Sequence, residues 1–264
     1  NITDKSIPIH AMIGDQQSAA IGQNCFNPGD IKATFGTGCF ILLNTGKKPL
    51  KSNNKLLSTI AYKINNITSY ALEGSIFVSG STMKWLRDEL GIIQNINDSE
   101  YLAASIKDNN GVYFVPAFTG LGAPHWKPDA RGTIAGLTSS SGKAEIVRAA
   151  LEAVAYQSVD LFDAMAADGQ KTKIVRVDGA MSANDWLLQF LSSISNTRNE
   201  SADNTETTSQ GAAILASIGS GLYSSIEETK KFWKLNKSFI PEMKAKEIEN
   251  YRNGWNKAIK RTIL

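Results

Sequence analysis

The sequence predicts an α/β fold in one domain. Two observations carry this: β-type runs fill the first part of the chain, and helical and strand-type segments alternate through the rest. The absence of an internal repeat or a low-complexity linker points to one domain rather than two. The length of 264 residues suits that reading.

The elements follow in order. Ile13-Gly14-Asp15-Gln16-Gln17-Ser18 reads as a strand end running into a Gly-Asp turn and then a helix of small residues. Residues 30–44 read as two β segments joined at Gly36-Thr37-Gly38, where glycine relaxes the backbone. Two more β runs follow at 57–64 and 68–72, with Asn65-Asn66 as the turn between them. Helical spacing of Met83, Leu86 and Leu90 predicts a helix over 81–90, with Ser81 as its N-cap. Residues 91–111 are polar and turn-rich. A β segment is expected at 112–116, a shaped loop at 118–126 and a short strand at 131–137. The strongest helical pattern runs over 143–167, with Ser141 as its cap and Ile146, Ala150, Val154, Leu161 and Met165 on one face. A buried strand is expected from Lys173 to Asp178. Next come a helix capped by Ser182 and carrying Trp186 and Phe190, a polar loop at 196–204, a helix at 211–218, and a final helix from Lys244 onward.

Composition excludes several function classes. A net charge of +3, from 28 basic and 25 acidic side chains, gives no field suited to nucleic acid. The basic run near the C-terminus reads as a solvated helix face. Cys25 and Cys39 form no CxxC pair, which fits a reducing, cytoplasmic setting. His10 and His125 lie far apart with no cysteine at a ligand spacing, so a zinc site is not expected. No apolar run reaches transmembrane length, and no signal-peptide pattern opens the chain. The chain begins at Asn1 rather than Met, which suggests a piece of a longer protein.

Three glycine turns at strand ends carry the chemical signal: Gly36-Thr37-Gly38, Ser79-Gly80-Ser81 and Asp178-Gly179-Ala180. Such turns let backbone amides approach an anion, and the last two also open helices, whose N-termini favour phosphate. Together they suggest a nucleotide or phosphate site. Asp15 is placed to accept a proton from an alcohol, with Gln16 and Gln17 to orient polar groups; it equally suits a helix N-cap, and spacing alone favours the cap. The 118–126 loop reads as a substrate-lining loop or as a packed surface loop. His125 reads as a loop polar group, and the Trp186/Phe190 stripe as core.

Six blocks in order resemble the glycerol kinases of the FGGY carbohydrate-kinase family. They are Gly14-Asp15-Gln16-Gln17, Phe35-Gly36-Thr37-Gly38-Cys39-Phe40, residues 116–126, residues 130–137, Asp178-Gly179 with Ser182-Ala183-Asn184, and residues 206–213. The Thr119-Gly120-Leu121-Gly122-Ala123-Pro124 segment and the Gly-Thr-Gly-Cys-Phe block resemble glycerol kinases more than sister sugar kinases. The resemblance implies a ribonuclease-H-like, actin-like ATPase domain with a central mixed sheet flanked by helices. Residues 1–264 would form the C-terminal, nucleotide-binding half, and the N-terminal kinase domain would be its partner. The implied reaction is ATP-dependent phosphorylation of glycerol to glycerol 3-phosphate, with Mg²⁺. By the same resemblance Asp15 is the general base and reaches Mg²⁺ through water. Gln16 hydrogen-bonds glycerol and Phe40 contacts its carbons. Thr37, Gly80, Lys84, Gly179, Ala180 and Asn184 stand at the ATP-contacting positions. Family members often form dimers or tetramers, so a homo-oligomer of the full-length enzyme is also implied.

The departures from the family pattern are Lys84 where Gln is common, Ala180 where a second Gly is usual, and Lys127 where Asp is common. A methyl group at Ala180 is expected to crowd the adenine side of the pocket. These departures keep two alternatives on the table: a non-catalytic nucleotide-binding remnant of a split or decayed kinase, and a kinase for another small polyol or sugar. The isolated half is expected to be weak or inactive.

Overall fold

The computed structural model describes residues 6–172 and 174–264. In chain order the elements are α1 (Asp15–Gly22), β1 (Asp30–Phe35), β2 (Cys39–Gly46), β3 (Leu57–Ile64), β4 (Ile67–Ile76), α2 (Gly80–Asp88), α3 (Asp98–Ala104), β5 (Tyr113–Val115), β6 (Thr133–Ala135), α4 (Lys143–Ala167), β7 (Ile174–Asp178), α5 (Asp185–Ser195), β8 (Asn199–Ala202), α6 (Thr207–Gly219), α7 (Ile226–Thr229), β9 (Leu235–Phe239) and α8 (Ala245–Thr262). One mixed sheet organises them, in the order β3-β4-β2-β1-β7-β8-β9. β7 runs parallel to both β1 and β8, and the other pairs are antiparallel. A small second sheet pairs β5 with β6.

Side-chain alternation along the strands gives the sheet two different faces. Ile31, Ala33 and Phe35 of β1 lie in register with Leu43, Ile41 and Cys39 of β2 and with Val175 and Val177 of β7. All are buried and join one hydrophobic core with α4 and α5. The alternate positions carry Lys32 and Thr34 on β1, Phe40 on β2, Glu73 and Ser75 on β4, and Arg176 and Asp178 on β7. That second face is met by α1, which packs closely against α6. A Cβ built on Gly211 of α6 would stand 1.8 Å from the Ser18 carbonyl oxygen of α1, so only glycine allows this approach. The contact sets where the N-terminus of α1, with Asp15 and Gln16, meets the sheet.

The two β segments around Gly36-Thr37-Gly38, the turn at Asn65-Asn66 and the 143–167 helix stand where the sequence predicts them. Both turn asparagines have positive φ, 48° and 65°, the left-handed conformation that asparagine tolerates. Lys173, the expected first residue of β7, lies outside the described residues, as does Asn1.

The helix starts differ from expectation. α2 begins at Gly80 behind Ser79, and Ser81 Oγ, inside the helix, donates to the Thr37 carbonyl at 3.0 Å. α4 is capped at Gly142, whose amide donates to Glu145 Oε2 at 2.9 Å, while Ser141 Oγ accepts from Thr138 N. α5 is capped by Asn184, whose Oδ1 accepts from Leu187 N at 2.8 Å; Ser182 instead closes a 3₁₀ turn by donating to the Gly179 carbonyl. In each case the chosen cap is the residue whose extended backbone or nearby carbonyl suits the turn, not the nearest hydroxyl.

The polar stretch 196–204 contains a buried strand, β8, and the turn-rich stretch 91–111 contains α3. The polar β8 side chains are partly satisfied: Asn199 Nδ2 donates to the Leu188 carbonyl while its Oδ1 has no hydrogen-bond partner, and Glu200 pairs with Arg198 at 2.8 Å. The 118–126 loop, left open by the sequence, is packed. Leu121 and Lys127 exchange backbone hydrogen bonds, Trp126 Nε1 donates to the Lys55 carbonyl, and His125 meets Asp160 at 3.1 Å. Among the described residues no helix is long and apolar enough to cross a membrane.

Candidate functional site

The three glycine corners meet. Ser79 and Ser81 donate their amides to the Thr37 carbonyl at 2.9 and 3.1 Å, and Gly80 donates to the Gly36 carbonyl at 3.0 Å. A Cβ on Gly80 would stand 2.6 Å from the Gly36 oxygen, and one on Gly179 2.5 Å from the Phe35 oxygen. Glycine at both positions lets the end of β4, the β1–β2 turn and the end of β7 press together backbone to backbone.

This contact corrects one expectation. The first amides of α2 point at the β1–β2 turn and are already satisfied, so that helix start offers no free donors to an anion. The free donors sit elsewhere: among the described residues, the amides of Thr37 and Gly38 bond to no protein acceptor. Gly80 therefore contributes close approach rather than a hydrogen bond.

Beside the corners opens a cleft of about 300 Å³. Thr37, Gly80, Lys84, Ala180 and Asn184, five of the six nucleotide positions inferred from the sequence, line it. The sixth, Gly179, lines an adjoining cleft of about 530 Å³ that shares Ala180 and Ala183 with the first. The walls of the smaller cleft are apolar at Met83, Ile96, Met181 and Ala183 and polar at Asn97, Ser99 and Glu100. An apolar slot with a few fixed polar groups is the usual make-up of a small-molecule site. Asn184 is half committed: its oxygen caps α5, while its Nδ2 reaches Ser99 Oγ at 3.5 Å. Ala180 is exposed and lines both clefts where they join. Lys84 is exposed at the rim.

A second cluster forms where α1 meets the polar face of the sheet. Asp15 is exposed and occupies the first helical position, while Gly14 is the N-cap. Its Oδ1 accepts from the Gln16 amide at 2.8 Å, and Gln16 Nε2 stands 3.4 Å from Oδ2. Asp15 is therefore not the N-cap that spacing favours. It steadies its own first turn without being the cap, and its carboxylate still faces solvent. The Phe40 ring is 41% exposed just beyond the Gly38 corner, so its apolar face is available to a ligand. Lys32 joins these groups, with Nζ donating to Gln16 Oε1 at 2.5 Å and to the Phe40 carbonyl at 3.3 Å. Glu73 lies near the same cluster. Burial lifts its carboxyl above the usual range, Lys32 opposes that, and Asp15 adds to it.

Sequence reasoning missed Lys32 and Glu73, as well as the α3 wall of the cleft at Ile96, Ser99 and Glu100. Lys32 did leave a signal, a lysine between Ile31 and Ala33 inside a predicted strand.

Asp178, beside the third corner, is half committed to structure. Its Oδ2 accepts from Gln23 Nε2 at 2.9 Å and from Thr207 Oγ1 at 2.7 Å, while its Oδ1 has no hydrogen-bond partner. The described residues contain no group of three or more His, Cys, Asp or Glu side chains able to hold a metal ion by themselves.

Residues 31–220 match the C-terminal domain of the FGGY family of carbohydrate kinases. The chain belongs to that family. A glycerol kinase from Coxiella burnetii (strain Dugway 5J108-111) is 53% identical over 97% of this chain and 51% of its own length. The solved structure of Plasmodium falciparum glycerol kinase with ADP superimposes with a TM-score of 0.91 at 39% identity, over 96% of this chain and 51% of that one. A xylulose kinase from Lactobacillus acidophilus, at 22% identity and a TM-score of 0.81 over 92% of this chain and 49% of its own, shares the fold. This FGGY chain thus has the actin-like ATPase fold, and it spans about half the length of the relatives it matches.

Proposed function

We propose that this chain is the C-terminal, nucleotide-binding half of a glycerol kinase. In this reading it works with an N-terminal kinase domain to transfer the terminal phosphoryl group of ATP to glycerol, giving glycerol 3-phosphate. The observation that carries the reading is the pairing of two sites: an alcohol-suited cluster at Asp15, Gln16 and Phe40, and a cleft opened by three glycine corners. The names of the relatives, glycerol kinase at about half-chain coverage, support the same substrate.

Phosphoryl transfer depends on positioning and charge neutralisation more than on covalent chemistry. In this assignment the Asp15 carboxylate accepts the proton of the attacking hydroxyl, Gln16 hydrogen-bonds the polyol, and Phe40 covers its carbon chain. The free amides of Thr37 and Gly38 face the phosphates. Gly80, Gly179 and Ala180 let the nucleotide approach the backbone, and Asn184 and Lys84 border the nucleoside. Mg²⁺, which uses few protein ligands beside phosphate oxygens, would arrive on the nucleotide and meet Asp15 through water; it would neutralise charge on the phosphates. A reducing, cytoplasmic setting and a homo-oligomer of the full enzyme belong to the same proposal.

The test joins this chain to the N-terminal half of a glycerol kinase and measures glycerol-dependent ADP formation. Activity that Asp15→Ala abolishes supports the assignment. Activity equal in both proteins, or greater with another polyol, contradicts it. Nucleotide binding by calorimetry with no turnover would favour a binding remnant.

A further inference from the structure

We propose that Lys32 is a positioning residue that fixes the direction of the Gln16 carboxamide, so that its amino group, a donor, stands beside the Asp15 carboxylate in the alcohol site. The inference rests on the reading of Asp15 and Gln16 as the alcohol site.

Lys32 lies in the middle of β1 and is 0% exposed. A buried ammonium normally sits against a carboxylate. Among the described residues no carboxylate lies within ion-pair distance of Lys32. Its hydrogen bonds go to two neutral acceptors, Gln16 Oε1 and the Phe40 carbonyl. Burial accordingly holds its pKa below the ordinary lysine value, with Asp178 the largest opposing influence. Holding a lysine there costs stability, and the contacts it makes are with two of the three residues assigned to the substrate.

The chemistry of those contacts is directional. An ammonium donates and cannot accept, so the Gln16 atom facing it must be the oxygen. The Gln16 amino group is then turned the other way, toward Asp15 Oδ2 at 3.4 Å. The outer surface of the pair presents N–H from Gln16 and a carboxylate oxygen from Asp15. A hydroxyl that gives its proton to Asp15 can receive one from Gln16, so adjacent donor and acceptor sites suit a polyol. With the carboxamide reversed, Asp15 and Gln16 would both offer oxygen, and a second hydroxyl would lose its donor. The bond to the Phe40 carbonyl ties the start of β2 to α1 through the same nitrogen, so one buried group sets the spacing of the polar and apolar walls.

A double-mutant cycle tests this on the enzyme assembled with its N-terminal half, using Lys32→Met, Lys32→Gln, Gln16→Ala and the pairs. Lys32→Met is expected to raise the glycerol KM by about 10-fold, the loss of one well-placed hydrogen bond, with the ATP KM unchanged. Gln16→Ala should raise it similarly, and the double variant should add little to either. Lys32→Gln keeps a donor facing Gln16 and is expected to recover part of the glycerol affinity. Additive effects, or equal shifts in both substrates' KM values, would overturn the proposal and leave Lys32 a plain core group. If Lys32→Met does not fold, Lys32→Gln carries the same comparison. Asp15→Asn in the same enzyme separates the two levels. If it abolishes turnover while the Lys32 variants leave the glycerol KM unchanged, the positioning role fails and the alcohol site stands. If it too is silent, the alcohol site itself fails, and the role of Lys32 with it.

Discussion

The two faces of the central sheet differ in how they handle buried polar groups. On the α4 side Glu152 centres a closed network inside an apolar core, although Asn199 Oδ1 of β8, on the same face, lacks a hydrogen-bond partner. Glu152, fully buried, accepts from Arg148 at 2.8 Å, Asn109 at 2.7 Å and Tyr156 at 3.0 Å. Arg148 also reaches the Ala103 and Ile106 carbonyls and stacks over Trp186 at 5.0 Å. On the α1 side the groups are left open. Thr34 Oγ1 and Asp178 Oδ1 are buried without a hydrogen-bond partner, Arg176 Nε meets only Glu200 Oε2 at 3.7 Å, and Lys32 has only neutral partners. The same strands supply both faces, one residue out of phase. A satisfied polar network serves a unique packing, whereas unsatisfied groups at a cleft edge mark the side that works on something else.

The predictions probe that contrast, in order of expected size. Asp15→Asn on the open face should lower kcat by about 10²–10⁴-fold, the usual contribution of a general base. Because Asp15 is exposed, the melting temperature should barely move. A large loss of stability with activity retained would reverse its placement. Glu152→Ala on the closed face should do the opposite. It strands Arg148 and costs about 3–5 kcal/mol of stability by denaturant titration. Enzyme that still folds should keep its KM for glycerol. Gly80→Ala sits at the seam between strand ends and should cost about 1–3 kcal/mol through overpacking against the Gly36 carbonyl. Its KM for ATP should rise more than its KM for glycerol.

The smallest effect concerns pH. Burial lowers the Lys32 pKa in the folded chain, so between that lowered value and the ordinary 10.5 the unfolded chain binds more protons. Stability contributed by this residue therefore rises with pH through that window. As the pH rises toward the ordinary lysine value of 10.5, wild-type protein should lose less stability than Lys32→Met. Parallel pH curves for the two proteins would show that the Lys32 pKa is not lowered on folding.

Much of the sheet was legible because its strands follow the alternation rule and its turns use glycine and asparagine. β8 was not, since Asn199 and Glu200 look like loop residues until Leu188, Arg176 and Arg198 are there to pair with them. β9 was missed for a related reason, as Leu235–Phe239 forms the sheet edge and is mostly exposed. Helix starts were misplaced because serines are plentiful near each one, and only three-dimensional carbonyl positions choose among them. At the candidate site the glycine corners were readable one by one. Their convergence was not, nor was the use of the α2 amides by the Thr37 and Gly36 carbonyls. Lys32 escaped because its role depends on α1 being held against the sheet by α6, residues distant in sequence.

The most direct measurement is a crystal structure of the assembled enzyme with glycerol and ADP. The account predicts one glycerol hydroxyl within hydrogen-bond distance of Asp15, another oxygen receiving the Gln16 amino group, and the diphosphate at the Thr37–Gly38 amides with the base in the Met83–Asn184 cleft. Nucleotide bound away from the three corners, or glycerol held without Asp15 and Gln16, would contradict it.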